Sequence, residues 1–305
     1  MKRKDILGIK DLTRAEISEI LTTANVMRDM IDRGEKSSSL RGKNVTTLFY
    51  ENSTRTRNSF ETAAKNLGAS TTGISVAASS VQKGESLVDT GKTLDSLKTD
   101  VIVIRHSVAG SCNLLASVVK ASVINAGDGM NEHPSQALLD GLTAVRYFGN
   151  LAGKKVVIVG DIKHSRVARS NVRLFGMLGA SVTVCAPYSL LPCGIDSIGC
   201  DVDTDFDRAI SGANIVIPLR VQKERMTGAY FSTQEEYHEY YGLTQKRLEL
   251  CADDRIVMHP GPINRGSEIS GDVADGNDSY ILEQVTNGVA VRMAMLELLV
   301  NGEKV

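Results

Sequence analysis

No long apolar run occurs anywhere in this 305-residue chain. Met1-Lys2-Arg3-Lys4 is basic, but no apolar region follows it, so neither a signal peptide nor a membrane span is expected, and a cytoplasmic location is the default. Five cysteines, Cys112, Cys185, Cys193, Cys200 and Cys251, are odd in number and scattered, with no Cys-x-x-Cys. That argues against a disulfide framework and a structural zinc site. Charge of one sign is also missing: the net charge is −1. No global field favours nucleic acid or an anionic membrane, so any anion site has to be local. Repeats and low-complexity tracts are absent. What remains is 42% hydrophobic and 23% charged, an ordinary globular composition with length for about two domains.

Apolar runs and turn residues alternate along that length. Thr13-Arg14-Ala15-Glu16 fits a capping box opening a helix with Ile17, Ile20, Leu21, Ala24 and Met27 on one face, ended by Gly34. Strands are predicted at 45–50, 71–76, 101–104 and 123–126. Helices follow with Phe60, Ala63, Ala64 and Leu67 on one face, from Leu87 to Leu97, and from His133-Pro134 to Gly149. A second block opens at Lys155 to Asp161, with a helix carrying Val167, Leu174 and Leu178. It continues with strands at 181–185, 214–218 and 255–258. Ala77 to Ser86 reads as an exposed loop, Tyr230 to Gly242 as a polar, tyrosine-rich excursion, and a last helix as running from about Val289 to Val300. The alternation predicts an α/β protein of two doubly wound domains, each a mainly parallel sheet flanked by helices. The first spans 1–149, joined by the C-terminal helix at about 289–305; the second spans 150–288.

One stretch breaks a local rule. Glu51-Asn52-Ser53-Thr54-Arg55-Thr56-Arg57 lies where a strand turns into a helix, with Ser53 or Thr54 as N-cap. A helix N-terminus prefers acidic residues, so two arginines there are misplaced unless an anion arrives. Free N–H groups, hydroxyls and planar cations together make a phosphate cradle; the plainer reading is a solvated, arginine-rich helix start. In parallel sheets ligands lie beyond the carboxyl ends of strands. Ser53 to Arg57, Arg105, His133, Arg166, Arg220 and Gly261-Pro262 all fall there, and a cleft between two domains is the expected site.

These residues together resemble the carbamoyltransferase family. Phe49 to Arg57 is similar to its phosphate-binding signature and His133-Pro134-Ser135-Gln136 to its second signature. Val159-Gly160-Asp161, Arg220 to Arg225 and His259-Pro260-Gly261-Pro262 follow in the family's order. The resemblance covers nearly the whole chain and is closer to the aspartate branch. The ornithine branch carries His-Cys-Leu-Pro where His259-Pro260-Gly261-Pro262 stands, and a Ser-Met-Gly loop where Arg220-Val221-Gln222 stands. Gly261 departs from relatives that carry a bulkier apolar residue.

The resemblance implies transfer of the carbamoyl group of carbamoyl phosphate to the amine of L-aspartate, without metal or organic cofactor. It implies that Ser53, Thr54, Arg55, Thr56 and Arg105 hold the phosphate. Arg55 bridges the leaving oxygen, and Arg105, Thr56 and His133 face the carbonyl oxygen. Gln136 and the carbonyls of Gly261 and Pro262 meet the carbamoyl NH₂. Arg166, Arg220, Gln222 and Lys83 take the aspartate carboxylates. Ser79 and Lys83 come from a neighbouring subunit, so a homotrimer with shared sites is implied, with regulatory chains or a dihydroorotase as further candidate partners. Arg57 stays outside the contact set as an ion-pair partner. An ornithine carbamoyltransferase and a non-catalytic binding protein on the same fold are the alternatives. A nicotinamide dehydrogenase, suggested by the strand-Gly160-Asp161-helix unit, lacks Gly-x-Gly-x-x-Gly.

Overall fold

The computed structural model describes residues 1–75, 84–222 and 233–302. The chain divides into two compact units, Met1–Leu142 with Thr286–Val305, and Thr143–Val285. In chain order the first unit holds α1 (Arg14–Asp32), β1 (Asn44–Phe49), α2 (Thr54–Asn66), β2 (Ser70–Ser75), α3 (Leu87–Ser96), β3 (Val101–His106), α4 (Ser111–Val118) and β4 (Ser122–Asp128). Helix α5 (Pro134–Phe148) carries the chain into the second unit.

The four strands form a parallel sheet in the order β2-β1-β3-β4. Their apolar runs pack against both faces: Val101 to Ile104 are fully buried, as are Leu48, Val123 and Ile124, the continuous pattern a sheet covered on both sides requires. The capping box of α1 is closed. Thr13 Oγ1 accepts the Glu16 N–H, and Glu16 accepts the Thr13 N–H at 2.8 Å. The five apolar residues predicted for its face are all buried.

The second unit contains β5 (Lys155–Gly160), α6 (Arg166–Met177), β6 (Ser181–Cys185), β7 (Asp201–Asp203), α7 (Phe206–Ile210), β8 (Ile215–Leu219), α8 (Gln234–Tyr241), α9 (Gln245–Leu248), β9 (Ile256–Val257) and α10 (Gly271–Ala274). Its sheet is parallel, in the order β7-β6-β5-β8-β9. Helix α11 (Ile281–Val300) returns the chain to the first unit.

Three elements differ from the sequence reading. The buried stripe of α6 is Ala168, Val172, Leu174 and Phe175; Val167 and Leu178 are only partly buried. The described part of the polar excursion is a helix, α8. Thr233 caps it, and the buried Tyr237 stacks at 5.8 Å on the half-buried Tyr241 one turn along, which seats that face. Helix α11 begins at Ile281 rather than Val289 because its buried polar residues are paired. Gln284 Oε1 accepts the His259 N–H at 2.8 Å, and Asn287 Oδ1 accepts Arg28 Nη1 at 2.6 Å. Residues 76–83, and with them most of the expected Ala77 to Ser86 loop, lie outside the described residues.

Candidate active site

A parallel sheet opens a crevice where successive crossovers leave in opposite directions. In the first unit that point lies between β1 and β3, because the chain moves to β2 on one side and to β3 on the other. Register places Phe49 beside Arg105 across it, and the Tyr50 N–H donates to the Arg105 carbonyl at 2.9 Å. The arginine-rich turn and the second strand end thus meet. Arg105 donates from Nη1 to Ser53 Oγ at 3.3 Å and from Nε to Glu51 at 3.1 Å.

Ser53 is the N-cap of α2, yet its hydroxyl caps nothing, and the first turn contains no acidic residue. The first-turn N–H groups of a helix have no acceptor within it. The positive end of the helix dipole lies in the same turn as Arg55, which is exposed. Surrounding protein lowers the Arg55 pKa from the ordinary arginine value by desolvation, but a guanidinium stays charged at neutral pH. Thr56 is buried. Arg57 donates to Glu61 at 3.0 Å, and a Cβ at Gly73 would collide with its guanidinium. The missing side chain at Gly73 therefore seats Arg57 against β2.

The loop between β4 and α5 is built on Asp128, which is fully buried. Asp128 accepts the Gly110 N–H at 2.7 Å, Asn125 Nδ2 at 2.8 Å, Asn131 Nδ2 at 3.0 Å and the Glu132 N–H at 3.2 Å. His133 and Gln136 follow, both buried at the start of α5. The Ser135 hydroxyl lies 3.5 Å from His133 Nδ1, and Gln136 Nε2 donates to Asp140 at 2.9 Å. Below Arg105, His106 Nδ1 accepts the Val108 N–H at 3.0 Å, and its ring lies 4.4 Å from that of Tyr50. Burial lowers the His106 pKa, against the pull of Glu51 and Asp128.

In the second unit the switch point lies between β5 and β8. Here Asp161, fully buried, ties both strand ends. It accepts the His164 N–H at 3.1 Å, lies 2.8 Å from His164 Nδ1, and accepts the Gln222 N–H at 3.0 Å. That fixes the turn into α6, which starts at the buried Arg166, and the segment after β8. Arg220 Nη2 donates to Gln222 Oε1 at 3.0 Å, and Gln222 Nε2 to the Arg220 carbonyl at 3.1 Å. Gly160 has φ +126°, and a Cβ on it would sit 2.7 Å from the Leu219 carbonyl oxygen, so only glycine lets the two strand ends approach.

Beyond β9, His259 Nδ1 accepts the Gly261 N–H at 2.7 Å, which leaves the proton on Nε2 to reach Glu268 at 3.1 Å. Glu268 also accepts the Asn264 N–H at 2.6 Å. The turn carrying Gly261 and Pro262 is thereby clamped.

Of the predicted residues, hydrogen bonds join Arg105 to Ser53 in the first unit and Arg220 to Gln222 in the second; Thr54, Arg55 and Thr56 follow Ser53 in α2, His133 and Gln136 lie at the start of α5, Arg166 opens α6, and Gly261 and Pro262 follow β9. Ser79 and Lys83 lie outside the described residues. The sequence reading quoted Glu51 and Asp161 within motifs but assigned no role to them, nor to Asp128 and Glu268. An acid directly after a strand-ending glycine, as at Gly160-Asp161, was the available signal. Among the described residues no cluster of three or more His, Cys, Asp or Glu is placed to hold a metal, and no helix is long and apolar enough to cross a membrane.

Asp161→Ala removes the acceptor that two backbone N–H groups and the His164 ring share. Stability is expected to fall by about 1–3 kcal/mol in urea denaturation. An unchanged midpoint would show that Asp161 does not hold these loops.

Two family models match nearly the whole chain. Residues 4–146 match the carbamoyl-P binding domain of aspartate/ornithine carbamoyltransferase, and residues 152–299 match its Asp/Orn binding domain. The aspartate carbamoyltransferase catalytic subunit of Acetivibrio thermocellus is 55% identical over 300 residues, covering 98% of this chain and 96% of its own. That of Desulforamulus reducens is 53% identical over 303 residues, covering 99% and 97%. Among solved structures, the aspartate transcarbamoylase of Trypanosoma cruzi in complex with N-(phosphonacetyl)-L-aspartic acid has a TM-score of 0.88 at 33% identity, covering 97% of this chain and 95% of that one. The ornithine carbamoyltransferase of Thermus thermophilus, 24% identical over 98% of this chain and 100% of that one, shares the fold with a TM-score of 0.87. With both domain models matched in order and relatives above half identity along its length, the chain belongs to the aspartate/ornithine carbamoyltransferase family.

Proposed function

We propose that this chain is a transferase that moves the carbamoyl group of carbamoyl phosphate to the α-amino group of L-aspartate, giving N-carbamoyl-L-aspartate and phosphate in pyrimidine biosynthesis. The relatives above half identity carry that activity in their names. The observation that carries the choice of second substrate is the end of β8, where Arg220 is hydrogen-bonded to Gln222, itself anchored by Asp161. A guanidinium there suits a carboxylate, which it can bind through two parallel hydrogen bonds, and opposes the side-chain ammonium of ornithine.

In this reading residues 1–149, joined by the helix from about 289, bind carbamoyl phosphate, and 150–288 bind aspartate. Ser53, Thr54, Arg55, Thr56 and Arg105 hold the phosphate at the amino end of α2. The amine attacks the carbonyl carbon, and negative charge grows on the carbonyl oxygen, where Thr56, Arg105 and His133 stabilise it. Arg55 takes the charge developing on the leaving oxygen. Gln136 and the carbonyls of Gly261 and Pro262 receive the carbamoyl NH₂, which orients the carbonyl for attack. Arg166, Arg220, Gln222 and Lys83 hold the two carboxylates of aspartate. Catalysis then rests on positioning and charge stabilisation. The enzyme is cytoplasmic and works as a homotrimer in which Ser79 and Lys83 reach a neighbour's site. Regulatory chains or a dihydroorotase are the further partners that a native mass measurement would detect.

Carbamoyl phosphate offered with aspartate and with ornithine in parallel is expected to yield N-carbamoyl-L-aspartate and no citrulline. Citrulline as the main product would move the chain to the ornithine branch, and no product from either would leave a binding protein. For the shared site, Arg55→Ala and Lys83→Ala are each expected to lower kcat at least ~10²-fold. Mixed into trimers, the two variants should regain part of the activity, because some interfaces pair an intact Arg55 with an intact neighbouring Lys83. Verified mixed trimers without recovery would assign the loop to its own chain.

A further inference from the structure

Gln136 has two faces with opposite chemistry, an oxygen that accepts and an NH₂ that donates, and its value to a ligand depends on which one is offered. Electron density seldom separates them; the hydrogen-bond partner does. Here that partner is Asp140, four residues on and one helical turn along α5, fully buried, with an oxygen 2.9 Å from the Gln136 amide. A carboxylate can only accept. The opposite orientation would set two acceptor oxygens against each other at that distance.

A guanidinium of the same unit feels the charge of Asp140. Arg292 on α11 is 4% exposed, lies 5.1 Å over the Phe60 ring and donates to Ser59 Oγ at 2.9 Å. Burial lowers the Arg292 pKa to about 10, and the negative charge of Asp140 opposes that loss. Asp140 thus favours the charged form of this buried guanidinium, which without an opposite charge nearby would be strongly unfavourable.

We infer that Asp140 is a positioning residue that holds the NH₂ of Gln136 and thereby presents the Gln136 carbonyl oxygen to the ligand, making Gln136 a selector for an N–H donor on the transferred group. This rests on the reading that Gln136 meets the carbamoyl NH₂. Carbamoyl phosphate carries that donor. Acetyl phosphate, with a methyl group in the same place, does not, and it leaves the Gln136 oxygen facing carbon. The pair Gln136–Asp140 therefore rejects acyl phosphates by the absence of a hydrogen bond rather than by size. A site built to bond a donor discriminates more strongly than an apolar pocket that senses shape alone.

The test is the ratio of calorimetric affinities for carbamoyl phosphate and acetyl phosphate. Asp140→Asn can offer either an oxygen or an NH₂, so Gln136 is released to turn, and the preference for carbamoyl phosphate is expected to fall about tenfold, the worth of one hydrogen bond. The double variant Gln136→Glu with Asp140→Asn reverses the internal bond. The introduced carboxylate accepts from the new amide and offers its second oxygen to the ligand, so the preference should return even if both affinities weaken. Gln136→Ala separates the two layers of the argument. If it loses the preference while Asp140→Asn keeps it, the positioning role is wrong but the contact stands. If Gln136→Ala itself keeps the preference, the contact is wrong and the inference falls with it. Loss in Asp140→Asn without recovery in the double variant would reduce Asp140 to a packing role.

Discussion

Positive charge left uncompensated at the amino end of α2 is the constraint on which the chemistry of the first unit depends. Helix N-termini are usually quieted by an acid or a capping hydroxyl. Here the first turn has no acid, the Ser53 hydroxyl accepts from Arg105 instead of capping, and Arg55 adds a guanidinium. A fold keeps such an end only if something else holds the helix in place. Phe60, Ala63, Ala64 and Leu67, all fully buried, do so from its other face. Packing thus stabilises the helix without an acid or capping hydroxyl at its end.

Carboxylates beneath the site supply the complementary half of the design. Glu51 bonds Arg105, Asp128 gathers the loop before His133, Asp161 ties the ends of β5 and β8, and Glu268 clamps the turn after β9. Half of their partners are backbone N–H groups, so the acids fix loop shape as well as balance charge. Bonds of this kind, with an ionised acceptor, are among the stronger ones a protein makes. In the proposed reading they keep the donors in position before any ligand arrives, which is the condition for stabilising a short-lived charge without reorganisation.

Much of this was legible in the residues. The β1–α2 turn announced itself because Arg55 and Arg57 contradict the helix dipole, and the strand ends at Arg105 and Arg220 followed from apolar runs that stop abruptly. The capping box at Thr13 and the stop at Gly34 are local signals and were read directly. Partners distant in sequence were not legible. Nothing near Glu268 signals its bond to His259, and Asp140 reads as one more polar residue on a helix until α11 brings Arg292 to the same interior. Helices α8 and the start of α11 were hidden because their buried positions are tyrosine, glutamine and asparagine rather than an aliphatic face; Gln284 and Asn287 are hydrogen-bonded internally.

Backbone hydrogen exchange reads the anion cradle itself. The first-turn amides of α2 lack acceptors within the helix and should exchange rapidly in the free protein. Adding carbamoyl phosphate is expected to slow exchange across 53–57 while leaving 161–166 and 219–222 unchanged, and L-aspartate added with phosphate present should then slow the latter two. Protection of 161–166 and 219–222 by carbamoyl phosphate, with 53–57 still exchanging freely, would contradict the account.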